Sequence, residues 1–175
     1  MKDALADILL PAALEEIADE AFYGASSVTG LVELPGHVKR VGQNAFAQSS
    51  VYAVDMPASV TQVAANAVSG AGVGYVIVRN AQAQLAQGAF SGVGYVFGPD
   101  GGTAESYASA AGIRFVALES LALHDGFYYE VSTQGATLLC ARDATLVGAS
   151  LTVPASVDGV AVTNIAASAF IYRLA

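Results

Sequence analysis

The sequence predicts an α/β repeat fold: a solenoid with a parallel sheet of short strands, followed by a β-hairpin and the start of a second repeat array. Three observations predict it. A six-residue phrase recurs as Ile17-Ala-Asp-Glu-Ala-Phe22, Val41-Gly-Gln-Asn-Ala-Phe46, Val63-Ala-Ala-Asn-Ala-Val68 and Leu85-Ala-Gln-Gly-Ala-Phe90, at spacings of 24, 22 and 22 residues, and returns at Ile165-Ala-Ala-Ser-Ala-Phe170. Six residues ahead of the phrase, Pro11, Pro35 and Pro57 share one register, with Arg79 in the next unit. Short apolar runs precede that position. A period of this length marks units that bury their apolar side only by stacking on one another.

The runs Leu31-Val-Glu-Leu34, Ala53-Val-Asp-Met56, Tyr75-Val-Ile-Val78 and Tyr95-Val-Phe-Gly98 read as strands. Alternation sends Val32, Val54, Val76 and Val96, with Leu34, Met56 and Val78, to one face, and Glu33, Asp55, Ile77 and Phe97 to the other. Proline ends each strand because it has no amide to give the next rung. Stacked phrases should align Phe22, Phe46 and Phe90 in a column, each ring contributing about 1.5–3 kcal/mol on burial. Val68 should leave that column locally thinner.

After the fourth phrase the pattern changes. Pro99-Asp-Gly-Gly-Thr103 is a turn, 104–111 a short helix, and Gly112 ends it before the strand Ile113-Arg-Phe-Val-Ala-Leu118. A helix and a terminal strand here cap the last rung and blunt the sheet edge. Residues 119–125 read as a linker. Gly126-Phe-Tyr-Tyr-Glu-Val131 and Ala136-Thr-Leu-Leu-Cys-Ala141 form a hairpin around Ser132-Thr-Gln-Gly135. Leu151-Thr-Val-Pro154 is then the strand and proline of a new repeat, with Asp158-Gly159 turning an inserted loop and 165–170 its phrase. The division is therefore 1–118 for a capped solenoid, 119–125 for a linker, and 126–175 for the hairpin and a first, truncated repeat of a second array. The chain reads as a fragment of a longer protein, trimmed at both ends.

Hydrophobic residues make up 54% of the 175 and charged ones 13%, which excludes a disordered polymer. Seven basic against fifteen acidic residues leave a charge of −8, a field that repels phosphate and anionic lipid, so nucleic acid is not an expected partner. The acidic start, Met1-Lys-Asp-Ala-Leu-Ala-Asp7, is no signal peptide, so the protein is either cytoplasmic or lacks its leader here. The uncharged stretch 56–78 is long enough for a membrane span, but Pro57, Gln62, Asn66 and the glycines from Gly70 to Gly74 interrupt it, and no direct membrane insertion is expected.

Catalytic and metal chemistry find no pattern. Cys140 is the lone cysteine, without zinc-ligand spacing, and reads as a buried small hydrophobe. His37 and His124 lie in polar loops away from any nucleophile pattern. Gly70-Ala-Gly-Val-Gly74 precedes a strand instead of opening a helix, and Gly92-Val-Gly-Tyr-Val96 repeats Gly72-Val-Gly-Tyr-Val76, so these are duplicated turns and not a phosphate loop. Asp100-Gly-Gly and His124-Asp-Gly lack the repeated acidic spacing of a calcium loop. No catalytic residue, cofactor or metal is expected.

The closing phrase Val41-Gly-Gln-Asn-Ala-Phe46, following a strand and a proline, is similar to the Ile-Gly-x-x-Ala-Phe signature of the BspA-like leucine-rich repeat family. Residues 103–108 through Ile113-Arg-Phe115 resemble the way such arrays close, and Phe127-Tyr-Tyr through Val162-Thr-Asn-Ile165 the hairpin that opens them. The resemblance implies a right-handed leucine-rich repeat solenoid with a concave parallel sheet. It also implies a non-enzymatic, bacterial, extracellular or cell-surface role, with signal peptide and anchor outside this fragment. The expected function is adhesion or recognition of a host or neighbouring-cell surface protein or glycan through the concave face. Glu33, Asp55, Tyr75, Ile77, Tyr95 and Phe97 are the candidate ligand-binding residues, the aromatic ones forming with Ile77 an exposed strip beside the acidic pair unless the hairpin, the closing cap or a neighbouring domain covers them. The alternative is a structural stalk or spacer with no ligand of its own; the oligomeric state stays open.

Overall fold

The computed structural model describes residues 8–70, 72–142, 152–167 and 169–170. In chain order, two-residue rungs laid down at the phrases alternate with longer strands: β1 (Glu16–Ile17), β2 (Gly30–Glu33), β3 (Arg40–Val41), β4 (Val51–Met56), β5 (Gln62–Val63), β6 (Val68–Ser69), β7 (Tyr75–Val78), β8 (Gln84–Leu85), β9 (Phe90–Ser91) and β10 (Tyr95–Gly98). Rungs β1, β3, β5 and β8 stack into one parallel sheet. The longer strands β2, β4, β7 and β10 form a second, to which β11 (Arg114–Ala117) adds a fifth strand beside β10.

The register stacks like over like. Val32, Val54, Val76 and Val96 are successive partners, as are Glu33, Asp55, Ile77 and Phe97. The valines, with Leu34, Met56 and Val78, lie in the solenoid core, between the two sheets. Val38 and Val60, each donating its N–H to the carbonyl of the strand-ending proline three residues back at 3.0 Å, point into the same core.

The phrase is one repeated turn. Its fifth residue donates its N–H to the carbonyl of its second: Ala21 to Ala18, Ala45 to Gly42 and Ala67 to Ala64 at 3.3 Å, Ala89 to Ala86 at 3.0 Å. The fourth residue takes positive φ in every described coil: Glu20 (60°), Asn44 (54°), Asn66 (53°) and Gly88 (72°). Asparagine and glycine suit that left-handed position; glutamate does not. Alanine at the fifth place fits because its methyl is enclosed: Ala45, Ala67 and Ala89 have no exposed surface. Phe22 and Phe46 stack with centroids 5.0 Å apart and planes 12° from parallel. Val68 does not thin the column into a gap. It is fully buried and pairs with Phe90 across β6 and β9.

Helix α1 (Thr103–Ala111) closes this array, stopped by Gly112 at φ 67°. In earlier coils the sixth phrase residue donates its N–H to the following coil, Phe46 to Ala67 at 2.8 Å and Val68 to Ala89 at 3.1 Å. Phe90 has no following coil. The Tyr107 hydroxyl of α1 replaces it, accepting the Phe90 N–H at 2.9 Å and donating to the Phe90 carbonyl at 3.2 Å, with the two rings edge to face. Ala104 and Ala108 on the same helix face are fully buried.

The expected linker is instead structured. Residues 118–120 form a 3-10 turn and β12 (Leu121–His124) follows, because Leu121-Ala-Leu-His124 pairs antiparallel with β13 (Phe127–Ser132) across the Asp125-Gly126 turn, where both residues take positive φ. β13 turns into β14 (Gly135–Ala141), the expected hairpin. β15 (Ser156–Val157) and β16 (Val160–Ile165) form a further hairpin at Asp158-Gly159, and β16 lies parallel to β14. The resulting sheet runs β12-β13-β14-β16-β15. The strand expected at 151–154 does not form over Thr152–Pro154, where proline ends the ladder; Leu151 and the position of Ser168 lie outside the described residues. Ala169 nevertheless donates its N–H to the Ala166 carbonyl at 3.1 Å, the phrase turn again.

Candidate functional site

The outer face of the main sheet, the one expected to be concave, carries Ala53 and Asp55 from β4, Tyr75 and Ile77 from β7, and Tyr95 and Phe97 from β10. Alternation puts them there, as the sequence predicts. Of the two alternatives, exposure or cover by the hairpin, the structure has the second: Tyr75, Ile77, Tyr95 and Phe97 are each 5% exposed or less. The reason is the second sheet. Tyr128 of β13 with Leu139 and Cys140 of β14 packs directly onto them, together with Tyr52 and Val116, as one apolar cluster.

This contact has a polar spine. Tyr75 donates its hydroxyl to the Arg142 carbonyl at 2.6 Å, Tyr52 to the Ala141 carbonyl at 3.0 Å, and Tyr95 to the Leu139 carbonyl at 3.4 Å. The Tyr128 ring stands edge-on to Tyr75 (5.3 Å, 81°) and to Phe97 (5.5 Å, 63°). Burial pushes the Tyr75 hydroxyl well above the ordinary phenol range and raises that of Tyr128, so both stay protonated and able to donate. Gly74 makes the fit possible: a Cβ there would sit 2.6 Å from the Tyr52 ring.

Of the six candidate residues only the acids reach solvent. Glu33 pairs with Arg142 at 2.7 Å, an ion pair that ties β2 to the end of β14. Asp55 takes a two-pronged contact from Arg79 at 2.7 and 2.8 Å. Arg79 is the residue that replaces proline in its coil, so that departure from the repeat supplies a cross-coil ion pair. At the far edge Arg114 lies over the Tyr95 ring, 5.8 Å to its centroid, and pairs with Glu130 of β13 at 2.6 Å. The six residues are thus one surface, but its aromatic part serves contact within the chain.

Tyr52, Tyr128 and Arg142 belong to this surface and were not singled out from the sequence, while Cys140, expected as a buried small hydrophobe, is buried within it. Tyr128 was within reach, since period two sends it opposite to Phe127 and Tyr129, which enter the separate core on the far side of the second sheet. Leu139 was not. A bulge between Tyr128 and Tyr129 shifts the register from Tyr128↔Cys140 to Tyr129↔Leu138, which leaves Leu139 unpaired and turns it toward the main sheet with Cys140.

Reactive chemistry is not assembled here. Burial pushes the Cys140 thiol up to about 12, far from a thiolate at neutral pH. His37 Nδ1 contacts the Ala12 carbonyl, and His124 sits beside Asp125. Among the described residues no group of three or more His, Cys, Asp or Glu side chains could hold a metal ion, and no helix is long and apolar enough to cross a membrane.

The opposite, rung face stays open. Glu16, Arg40, Gln62 and Gln84 point outward in one column. Arg40 is clasped by Glu16 and, at 2.7 Å, by Asp19. The Gln43 N–H and the Arg40 guanidinium hold the Asp19 carboxyl below its ordinary range. Beside them Arg40, Gln62, Gln84 and Leu85 line a shallow depression of about 310 Å³.

The profile of the BspA type leucine-rich repeat region matches residues 2–95 in six copies. The chain belongs to the BspA-type leucine-rich repeat family. The match spans the stacked coils just described, so the solenoid is a leucine-rich repeat solenoid and the chain a repeat module. BspA-type repeats are commonly extracellular or surface-associated, and their fold is typically a binding or scaffold fold. Neither the curated proteins nor the solved structures give a match.

Proposed function

We propose that this BspA-type chain is a non-enzymatic module of a bacterial surface protein, displayed outside the cell, in which the first solenoid acts as a spacer that carries the next array on its main-sheet face. The observation behind this reading is the covered strip. The four apolar candidate residues lie under Tyr128, Leu139 and Cys140, so they join two parts of one chain instead of meeting a ligand. A stack of 22-residue coils, each hydrogen-bonded to the next, makes a stiff rod suited to setting distance, and the second sheet sits on its main-sheet face through apolar contact, tyrosine hydrogen bonds and ion pairs.

The open rung face favours a second reading, adhesion to a host or neighbouring-cell protein or glycan at the depression lined by Arg40, Gln62 and Gln84. Amide side chains can both donate to and accept from sugar hydroxyls or a peptide backbone. Two measurements on cells carrying the full-length protein separate these ideas. An impermeant protease should release peptides from this segment; protection despite expression would remove surface display. Gln62→Ala with Gln84→Ala should leave adhesion to immobilised host proteins and glycans unchanged if the segment is a spacer. Loss of adhesion with the fold intact would transfer the role to the rung face.

A further inference from the structure

We propose that the β12–β14 meander is a detachable cover, which lifts as a body from the main sheet and uncovers Tyr75, Ile77, Tyr95 and Phe97. The contact is built to part without unravelling either side. No strand of the main sheet pairs with a strand of the second sheet among the described residues. The hydrogen bonds described across the contact all involve side chains: three tyrosine hydroxyls on carbonyls of 139, 141 and 142, and the ion pairs Glu33–Arg142 and Arg114–Glu130 at its exposed edges. Each part also keeps a core of its own. The solenoid core lies on the inner face of the main sheet, and Phe127, Tyr129, Leu138 and Val157 form another on the far side of the meander.

The residues at the contact suit a surface that is sometimes wet. Tyr52, Tyr75, Tyr95 and Tyr128 each present an apolar ring with a polar tip that water can satisfy after parting, where an obligate core would favour wholly apolar side chains. The join is short: the 3-10 turn Leu118–Ser120 has no fully buried residue, only Leu118 of its three packs against the cluster at the contact, and extended residues flank it at both ends. A few such positions absorb the backbone change of a hinge. The uncovered strip would offer hydroxyl donors spaced for the carbonyls of an extended strand, with Glu33 placed for a cation, which is what β14 and Arg142 now supply.

Cys140 is a native reporter. It is the only cysteine of the chain, 1% exposed, and it faces the strip. The full chain is mixed with a thiol-specific reagent at urea concentrations below its unfolding transition, and the labelling rate is followed by mass spectrometry. Opening of the cover gives a labelling rate whose urea dependence is well below that of global unfolding, because only part of the surface is exposed. Tyr75→Phe, which keeps the ring, should then speed labelling about 2- to 10-fold, and Glu33→Gln about 2- to 5-fold. Arg40→Gln, which breaks ion pairs on the opposite face, should leave the rate as in the parent chain. Labelling with the full urea dependence of global unfolding overturns the proposal. So does a shallow dependence that Tyr75→Phe does not shift, since the thiol would then be reached by fraying within the hairpin.

Discussion

The same six-residue phrase has opposite fates in the stacked coils and at residues 165–170. In three of the stacked coils its leading residue is closed off, Ile17 at 3% exposed, Val63 at 2% and Val41 not at all, and in the last coil Leu85 is partly buried. At the later copy Ile165 is 54% exposed although the phrase makes the same turn, with Ala169 bonded to Ala166. Val41 is flanked in its sheet by Ile17 and Val63, whereas β16 at Ile165 is paired on one side only, through Leu138 of β14. The phrase therefore fixes the turn, and the neighbours decide the burial. Stability in such a stack belongs to interfaces more than to units.

Substitutions can break this comparison. Phe46→Ala, at a fully buried ring stacked on Phe22, should cost about 3–5 kcal/mol in urea unfolding, the largest effect of any phrase residue. Val41→Ala should cost on the order of 2 kcal/mol, while Ile165→Ala should stay within about 0.5 kcal/mol. Equal costs at positions 41 and 165 would mean that Ile165 is covered in solution.

Alkaline pH sharpens the comparison at the contact between the main sheet and the second sheet. The folded chain keeps the Cys140 thiol and the Tyr75 and Tyr128 hydroxyls protonated, whereas an unfolded thiol ionises near pH 9 and unfolded phenols near pH 10. The unfolded state then binds fewer protons, so stability falls as pH rises from about 9 toward 12, by at most about 1.4 kcal/mol per pH unit for each group. Urea midpoints at pH 8 and pH 10.5 measure this, and Cys140→Ala should lessen the drop. The smallest effect is a gain. Glu20 holds the left-handed turn position that asparagine or glycine fills in the other described coils, so Glu20→Asn should raise stability by about 0.5 kcal/mol by the same assay.

Much of the fold was legible in the sequence because it repeats. The phrase, the strand faces, the closing helix and the hairpin all follow from period and turn chemistry, which are local. Residues 121–124 read as a linker because Leu-Ala-Leu-His ahead of an Asp-Gly turn is too short to show a period until its antiparallel partner is known. The surface itself was half legible. Alternation grouped Tyr75, Ile77, Tyr95 and Phe97 correctly, but what lies over them depends on a bulge at Leu139 and on packing between residues more than forty positions apart, as Tyr95 and Leu139 are. Neither leaves a periodic trace.

The Tyr107 hydroxyl gives the first array a terminus that is made only once. Every earlier coil presents the same backbone groups to the next, so unequal recombination can add or delete a 22-residue block upstream of Leu85 and leave a complete joint on both sides. Copy number is thus free to drift before residue 85, while the stretch from Phe90 through Tyr107 is inherited as an indivisible end piece.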